Sequence, residues 1–229
     1  MEAATKDGGW DLVVCLGDLV GYGADPNRVT EWVRANVGPV VRGNHDKACV
    51  GLDDLEWFNP AARISTLWTR ANLSEENRQY LADLPRGPLA VDGFQILHGS
   101  PLDEDEYLIM MDDAEECEGA LEATVTFFGH THLQGGFRFH VRGIRRVPQM
   151  GPGSRRHDYE IDSHSKYLIN PGSVGQPRDN DPRAAWCVYL PEEHQIIYRR
   201  VDYDIEAAQK KIVEAGMPEI LARRLSVGK

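Results

Sequence analysis

The sequence predicts one α/β domain over residues 1–229, with two layers of sheet. Apolar runs of four to six residues, rich in Val, Ile, Leu and Phe, suit strands buried on both faces. Helical segments with clear start signals lie between several of them. Past Phe137 the pattern turns to β, with alternating residues and Gly-centred turns.

In chain order, Leu12 to Leu16 is the first strand, ending in Gly17-Asp18. Asp25-Pro26 is an N-cap followed by proline at the first helical position, opening a helix to about Asn36. Pro39 to Arg42 is the next strand, followed by a Gly43-Asn44-His45-Asp46 loop. Asn59-Pro60 repeats the helix signal before Ala61 to Ala71, and Ser74-Glu75-Glu76 opens another helix to about Ala82. Phe94 to Leu97 is a strand that ends in His98-Gly99-Ser100. A helix over Asp112 to Glu122 precedes the strand Val125 to Phe128, which ends in Gly129-His130-Thr131-His132. Strands follow at Phe137 to Val141, Ile144 to Val147 and Lys166 to Ile169, then a hairpin of Ala185 to Leu190 with Gln195 to Val201. Gln149 to Ser165 is Gly-rich and polar and is expected to be an irregular surface loop. Helices over Ile205 to Ala215 and Pro218 to Leu225 close the chain.

With 41% hydrophobic and 27% charged residues, the composition is that of a soluble globular protein. No apolar stretch approaches the ~18 residues of a membrane span. The first residues lack the basic start and apolar core of a signal peptide. Cys15, Cys49, Cys117 and Cys187 are widely spaced and form no C-x-x-C, so they read as buried thiols in a reducing compartment. A cytoplasmic location is expected. The net charge of −11 argues against a nucleic-acid polymer as partner. No Lys or Arg occurs between Gly87 and Phe137, whereas Ala123 to His157 holds six arginines and no acid. Two readings fit this: oppositely charged solvated faces, or an arginine-rich stretch that draws a phosphorylated substrate to the site.

Ligands of open sheets collect at the carboxyl ends of strands, and here each strand end delivers a metal-capable group. Singly, each motif has an ordinary reading. Gly17-Asp18 and Gly43-Asn44-His45-Asp46 are common turn sequences, and an isolated His98 is usually a core histidine. Gly129-His130-Thr131-His132 says more, because alternate residues of an extended chain put both imidazoles on one side. In this order, each after a buried strand, they point to a phosphoesterase centre. Two ions ~4 Å apart can activate a bridging water and clamp a phosphate. Asp18 fits the bridging carboxylate, and Asn44, His98, His130 and His132 the remaining places. Mixed N and O donors suit Mn, Fe, Zn, Ni or Co better than Mg or Ca.

From about Trp10 onward the chain resembles the calcineurin-like metallophosphoesterase superfamily, in its small bacterial and archaeal phosphodiesterase-type branch. The resemblance implies a four-layer αββα sandwich of two mixed sheets flanked by helices. It implies hydrolysis of a phosphodiester or phosphomonoester by a metal-activated hydroxide at a dinuclear-type site. The substrate would be small and phosphorylated, a nucleotide among the candidates. Asp18, Asn44, His98, His130 and His132 match the family's ligand motifs. His45 matches the histidine that contacts the scissile phosphate and can protonate the leaving group. Asn170-Pro171-Gly172-Ser173-Val174-Gly175-Gln176-Pro177-Arg178 resembles the branch's strand–loop signature. Its glycines let backbone approach a phosphate, and Ser173 and Arg178 are its candidate substrate contacts. A surface salt bridge is the competing reading of Arg178.

Two departures qualify the match. Gly21-Tyr22-Gly23 stands where protein phosphatases and dinucleoside tetraphosphatases of the superfamily carry Asp-Arg-Gly, which disfavours a protein phosphatase. The family also opens with a strand ending in Asp-x-His, and a βαβ unit needs ~30 residues, but only eleven precede Leu12. Met1 to Lys6 therefore reads as the tail of a crossover helix, with the first strand and its two ligands lacking. One ion is then expected here against two in the full-length family. The alternative is a catalytically impaired homologue with one residual metal site, acting in binding or regulation. Asp162-Ser163-His164 is the chain's single Asp-x-His, but it lacks the strand context. His140, His157 and His194 read as surface or loop residues.

Overall fold

The computed structural model describes residues 9–229; the helix tail expected at Met1 to Lys6 lies outside the described residues. Helix α1 (Pro26–Asn36) begins at the predicted Asp25-Pro26 signal. Helix α2 (Asn44–Val50) occupies what the sequence suggested was a loop. Gly43 is its N-cap, Asp46 accepts the Gly43 N–H from the third helical position, and left-handed Gly51 ends it. Helices α3 (Pro60–Asn72) and α4 (Glu75–Ala82) carry the Asn59 and Ser74 caps that the sequence signals announced.

A six-stranded sheet has the order β1 (Leu89–Val91), β2 (Phe94–Ile96), β3 (Val125–Phe127), β7 (Lys166–Asn170), β4 (Gly135–His140), β5 (Gly143–Val147). Its β2–β3 and β3–β7 pairs are parallel and the others antiparallel. A three-stranded antiparallel sheet has the order β6 (Arg156–Glu160), β9 (Gln195–Val201), β8 (Ala184–Leu190). The fold is thus a mixed α/β arrangement of two sheets flanked by helices, as expected. Between the sheets, Ile96, Val125, Phe127, Tyr167 and Ile169 meet Ile161, Ile196 and Tyr198. Helix α5 (Met111–Cys117) covers the other face of the larger sheet, against Leu97, Phe128, Phe137 and Leu168. Helices α6 (Ile205–Glu214) and α7 (Glu219–Arg223) pack with Tyr22 and Ala62.

Three further local expectations are corrected. Leu12 to Leu16 and Pro39 to Arg42 are not full strands. They run side by side and form one parallel bridge, Cys15 with Val40, supported by Cys15 N–H to Pro39 and Val41 N–H to Cys15. One bridge is too short a pairing to count as a regular ladder. Gln149 to Ser165 contains β6, held because His157 faces Tyr198 and Tyr159 faces Tyr167. The helix expected over Asp112 to Glu122 stops at Cys117 and passes into a 3-10 turn, Glu118–Ala120. The arginine-rich stretch lies largely in β4, β5 and β6. Arg138, Arg155 and Arg156 pair with Asp162, Asp202 and Asp158, which favours the solvated-face reading.

Candidate metal centre

The apolar segments end in one cleft, and their terminal residues meet there. Asp18, His98 and His130 each offer a ligand atom, and these atoms all lie within 4.8 Å of one another. His98 Nε2 is 3.5 Å from Asp18 Oδ2, 3.4 Å from Asn44 Oδ1 and 3.1 Å from His130 Nδ1. The other ring nitrogen, His98 Nδ1, is 2.6 Å from the Leu16 carbonyl, which only accepts. The proton of a neutral His98 therefore sits on Nδ1, and Nε2 presents its lone pair. That lone pair faces a carboxylate oxygen and an amide oxygen. Acceptors converging on acceptors in a buried cleft leave a place for a cation, so the donor set fits a divalent ion with mixed N and O ligands.

Backbone strain concentrates at the same residues. Asp18, His130 and His132 have φ of 55°, 59° and 60°, the left-handed region that side chains rarely adopt. Such conformations cost ~1–3 kcal/mol each and persist only where their surroundings hold them. Asp46, wholly buried, supplies one brace. Its Oδ2 accepts from Asp18 N–H at 2.8 Å and Gly43 N–H at 2.9 Å, and its Oδ1 from Leu19 N–H at 2.9 Å and Val20 N–H at 3.3 Å. Asn170 supplies another: its amide donates to the Gly129 carbonyl and to Thr131 Oγ1, and its Oδ1 accepts from Gly172 N–H. Close approach of the two acidic loops requires Gly43, where a Cβ would stand 2.1 Å from Asp18 Oδ1. Sequence reasoning assigned no role to Asp46 or Asn170. The capping-box spacing from Gly43 to Asp46 was the available signal for the first.

The remaining predicted residues fall as follows. His132 lies outside the tight cluster; its Nδ1 donates to the Gln176 carbonyl at 2.6 Å, which leaves Nε2 free. His45 is buried between Tyr22 and Phe58, with ring centroids 4.3 and 5.0 Å away, and its backbone N–H donates to Asp18 Oδ1. Ser173 Oγ accepts from Gln176 N–H and so closes its own turn. Arg178 is half-buried and, among the described residues, has no carboxylate within ion-pair distance, which removes the salt-bridge reading. Asp162 bonds Tyr167, Ser165 and Arg138, and it is not part of a metal cluster with His164. Tyr107 lies over His130 with centroids 3.9 Å apart, on a loop anchored by Glu104 to Arg42 and Lys47. Burial pushes Glu104 up, but these two cations bring it down to about 2.

The imidazoles are tuned toward neutrality. Burial lowers His45 and His130 to about 4, against the attraction of Asp18, and burial with the Arg178 charge lowers His132 to about 3. Burial works to raise Asp18, but the His98 and His45 imidazoles hold it below the usual carboxylate range. Burial and the Asp18 charge push Asp46 upward, against its backbone donors. The histidine shifts have a stability consequence. An unfolded imidazole takes a proton near 6.5, and the folded ones do so only near 4, so the unfolded state binds more protons between those values. Their contribution is full above pH 6.5 and is lost as pH falls through about 4. Asp46, pushed upward, acts in the opposite sense over the same window, so three lowered rings against one raised carboxylate leave a net fall in the melting temperature of the metal-free protein. A melting temperature that rises from pH 6.5 to 4 would contradict the burial of these rings.

Comparison with known proteins identifies the family. The sequence profile of the calcineurin-like phosphoesterase superfamily domain matches residues 1–193. The chain is 34% identical to uncharacterized protein MJ0912 of Methanocaldococcus jannaschii over 240 aligned positions, covering 98% of this chain and 89% of that one. It superimposes on the crystal structure of a metallophosphoesterase from Sphaerobacter thermophilus with a TM-score of 0.84 and 36% identity, over 100% of this chain and 93% of that one. A hypothetical protein from Pyrococcus horikoshii OT3, PH1004, shares the fold at a TM-score of 0.76 and 18% identity, over 100% and 90% of the two chains. The chain, with its Asp, Asn and His donors converging in one cleft, belongs to the calcineurin-like phosphoesterase superfamily.

Proposed function

We propose that the protein hydrolyses a small phosphodiester or phosphomonoester with a divalent transition metal, Mn, Fe, Zn, Ni or Co, held by Asp18, Asn44, His98 and His130. The observation that carries this reading is the convergence of His98 Nε2 on Asp18 Oδ2, Asn44 Oδ1 and His130 Nδ1, with the His98 proton held on the opposite nitrogen by the Leu16 carbonyl. The site is of the dinuclear type, but its tight cluster in this chain suits one ion, with His132 as a peripheral donor. When bound, a divalent ion supplies Lewis acidity that activates water and offsets charge on the phosphoryl oxygens. His45 contacts the scissile phosphate. It is neutral in the ligand-free protein, and an arriving phosphate dianion favours its protonated form, which can then give a proton to the leaving oxygen. Arg178 offers a planar fork to a phosphoryl oxygen.

No helix among the described residues is long and apolar enough to cross a membrane. All four cysteines are free thiols, which supports a reducing, cytoplasmic setting. The testing experiment is a panel of bis-p-nitrophenyl phosphate, p-nitrophenyl phosphate and nucleotides, with the chelated protein reloaded with each metal. Hydrolysis that appears on adding Mn and vanishes on chelation is expected. Stoichiometric metal binding with no turnover of any ester would favour the binding or regulatory homologue instead.

A further inference from the structure

We propose that Arg224, reaching in from the C-terminal end of the chain, joins Arg178 in a clamp for a second phosphoryl group, so that the favoured substrates carry a diphosphate. This rests on the phosphoester reading above, and it concerns a residue outside the metal cluster. Arg224 opens the 3-10 turn Arg224–Ser226. Its guanidinium lies 4.3 Å from the centroid of the Tyr22 ring, and that ring is 4.3 Å from the His45 ring. The side chain therefore stands one aromatic ring away from the histidine assigned to the scissile phosphate. Its Nε and Nη2 are shielded from water and have no hydrogen-bond partner. A shielded charged donor without a partner is costly, and the ring face offsets only part of that cost.

Acids are plentiful in this chain, 36 against 25 Lys and Arg, yet none pairs with this arginine among the described residues. The buried Arg200 and the partly buried Arg42 and Arg183 each have a carboxylate. Asp179, next to Arg178, is taken by Arg200, which keeps it from neutralising its neighbour. The two guanidinium groups without a carboxylate belong to segments fastened together: Asn180 N–H donates to the Gly228 carbonyl at 2.9 Å, and a Cβ on Gly228 would collide with the Asp181 backbone. Burial lowers Arg224 from its ordinary value, the Tyr22 hydroxyl works against this by charge and hydrogen bond, and the positive charge of Arg178 adds a smaller lowering. The charges of both arginines also act on His45. Two cations without a carboxylate, on segments tied to each other and to the loop of His132, are an arrangement that an anionic ligand stabilises. Tyr22 supports this guanidinium where Gly21-Tyr22-Gly23 itself provides none.

The test is calorimetric titration of the metal-free full chain with sodium pyrophosphate and, separately, sodium phosphate at low ionic strength. The wild-type chain is expected to bind pyrophosphate ~10-fold or more tighter than phosphate. Arg224→Ala should remove most of that preference, a loss of ~10-fold, while phosphate affinity changes by less than about twofold. Arg224→Lys keeps the stem against Tyr22 and the charge but loses the fork, and should fall between. If Arg224→Ala does not fold, Arg224→Lys and Arg178→Ala carry the comparison, each with a reduced preference. Equal binding of the two anions by the wild-type chain would overturn the proposal. So would an unchanged preference in the Arg224 variants, which would leave Arg224 as a stacking partner of Tyr22 alone. Arg224-dependent pyrophosphate binding without hydrolysis of any ester would keep the clamp and refute the phosphoesterase reading. Metal-dependent hydrolysis without the pyrophosphate preference would do the reverse.

Discussion

Asp18→Asn is expected to lower metal-dependent phosphoesterase turnover by more than ~100-fold while leaving the fold in place. The carboxylate is the single charged oxygen donor of the cluster, and it faces His98 Nε2 at 3.5 Å. Outer partners of metal ligands already cost ~10–100-fold when removed, so a direct ligand should cost more. An amide keeps the size and can still accept from His45 N–H, which Asp18 Oδ1 does at 3.0 Å. It removes the negative charge that offsets a bound cation. The outcome is read as turnover across a metal titration, alongside a melting curve. Asp18→Asn with wild-type turnover and wild-type metal dependence would contradict the assignment.

Asp46→Asn should have the largest effect on stability, about 3 kcal/mol or more, because no orientation of an amide can replace the carboxylate. Each oxygen of Asp46 accepts from two backbone N–H groups, Oδ2 from Asp18 and Gly43, Oδ1 from Leu19 and Val20. Whichever position the amide nitrogen takes, it confronts two donors in a buried site. For a chain of this length such a loss corresponds to a fall in Tm of roughly 6–12 °C. The same loss frees the left-handed backbone at Asp18, so metal affinity should drop by ~10–100-fold even though Asp46 is not a ligand. A Tm within about 2 °C of wild type, with unchanged metal affinity, would show that the four hydrogen bonds do not hold the site.

The donors were legible in the sequence because each follows an apolar run. Leu97 is buried and His98 follows it; Phe128 is buried and Gly129-His130 follow. That pattern needs only the local alternation of apolar strand and polar loop, so Asp18, Asn44, His98 and His130 could be placed on one rim without knowing the topology. The supports were less legible because they depend on contacts across the chain. Asp46 acts on residues 26–28 positions away, and Asn170 on residues 39–41 positions away. Helix α2 was hidden by its own start, since Gly43-Asn44-His45-Asp46 has the composition of a turn. Strand β6 was hidden by a Gly-rich approach and is fixed by pairing with β9, the partner on the far side of Lys166 to Asn170. Arg224 carries no local signal. Its significance comes from Tyr22, more than 200 positions away, and from its lacking an acid partner among the described residues.

Anomalous diffraction from crystals of the full chain soaked in Mn(II) locates the bound ion directly. One strong peak is expected in the cleft, ~2 Å from Asp18 Oδ2, Asn44 Oδ1, His98 Nε2 and a His130 ring nitrogen, with a weaker peak or none at His132. A well-ordered crystal with no peak at these atoms, or with its strongest peak at another cluster, would contradict it.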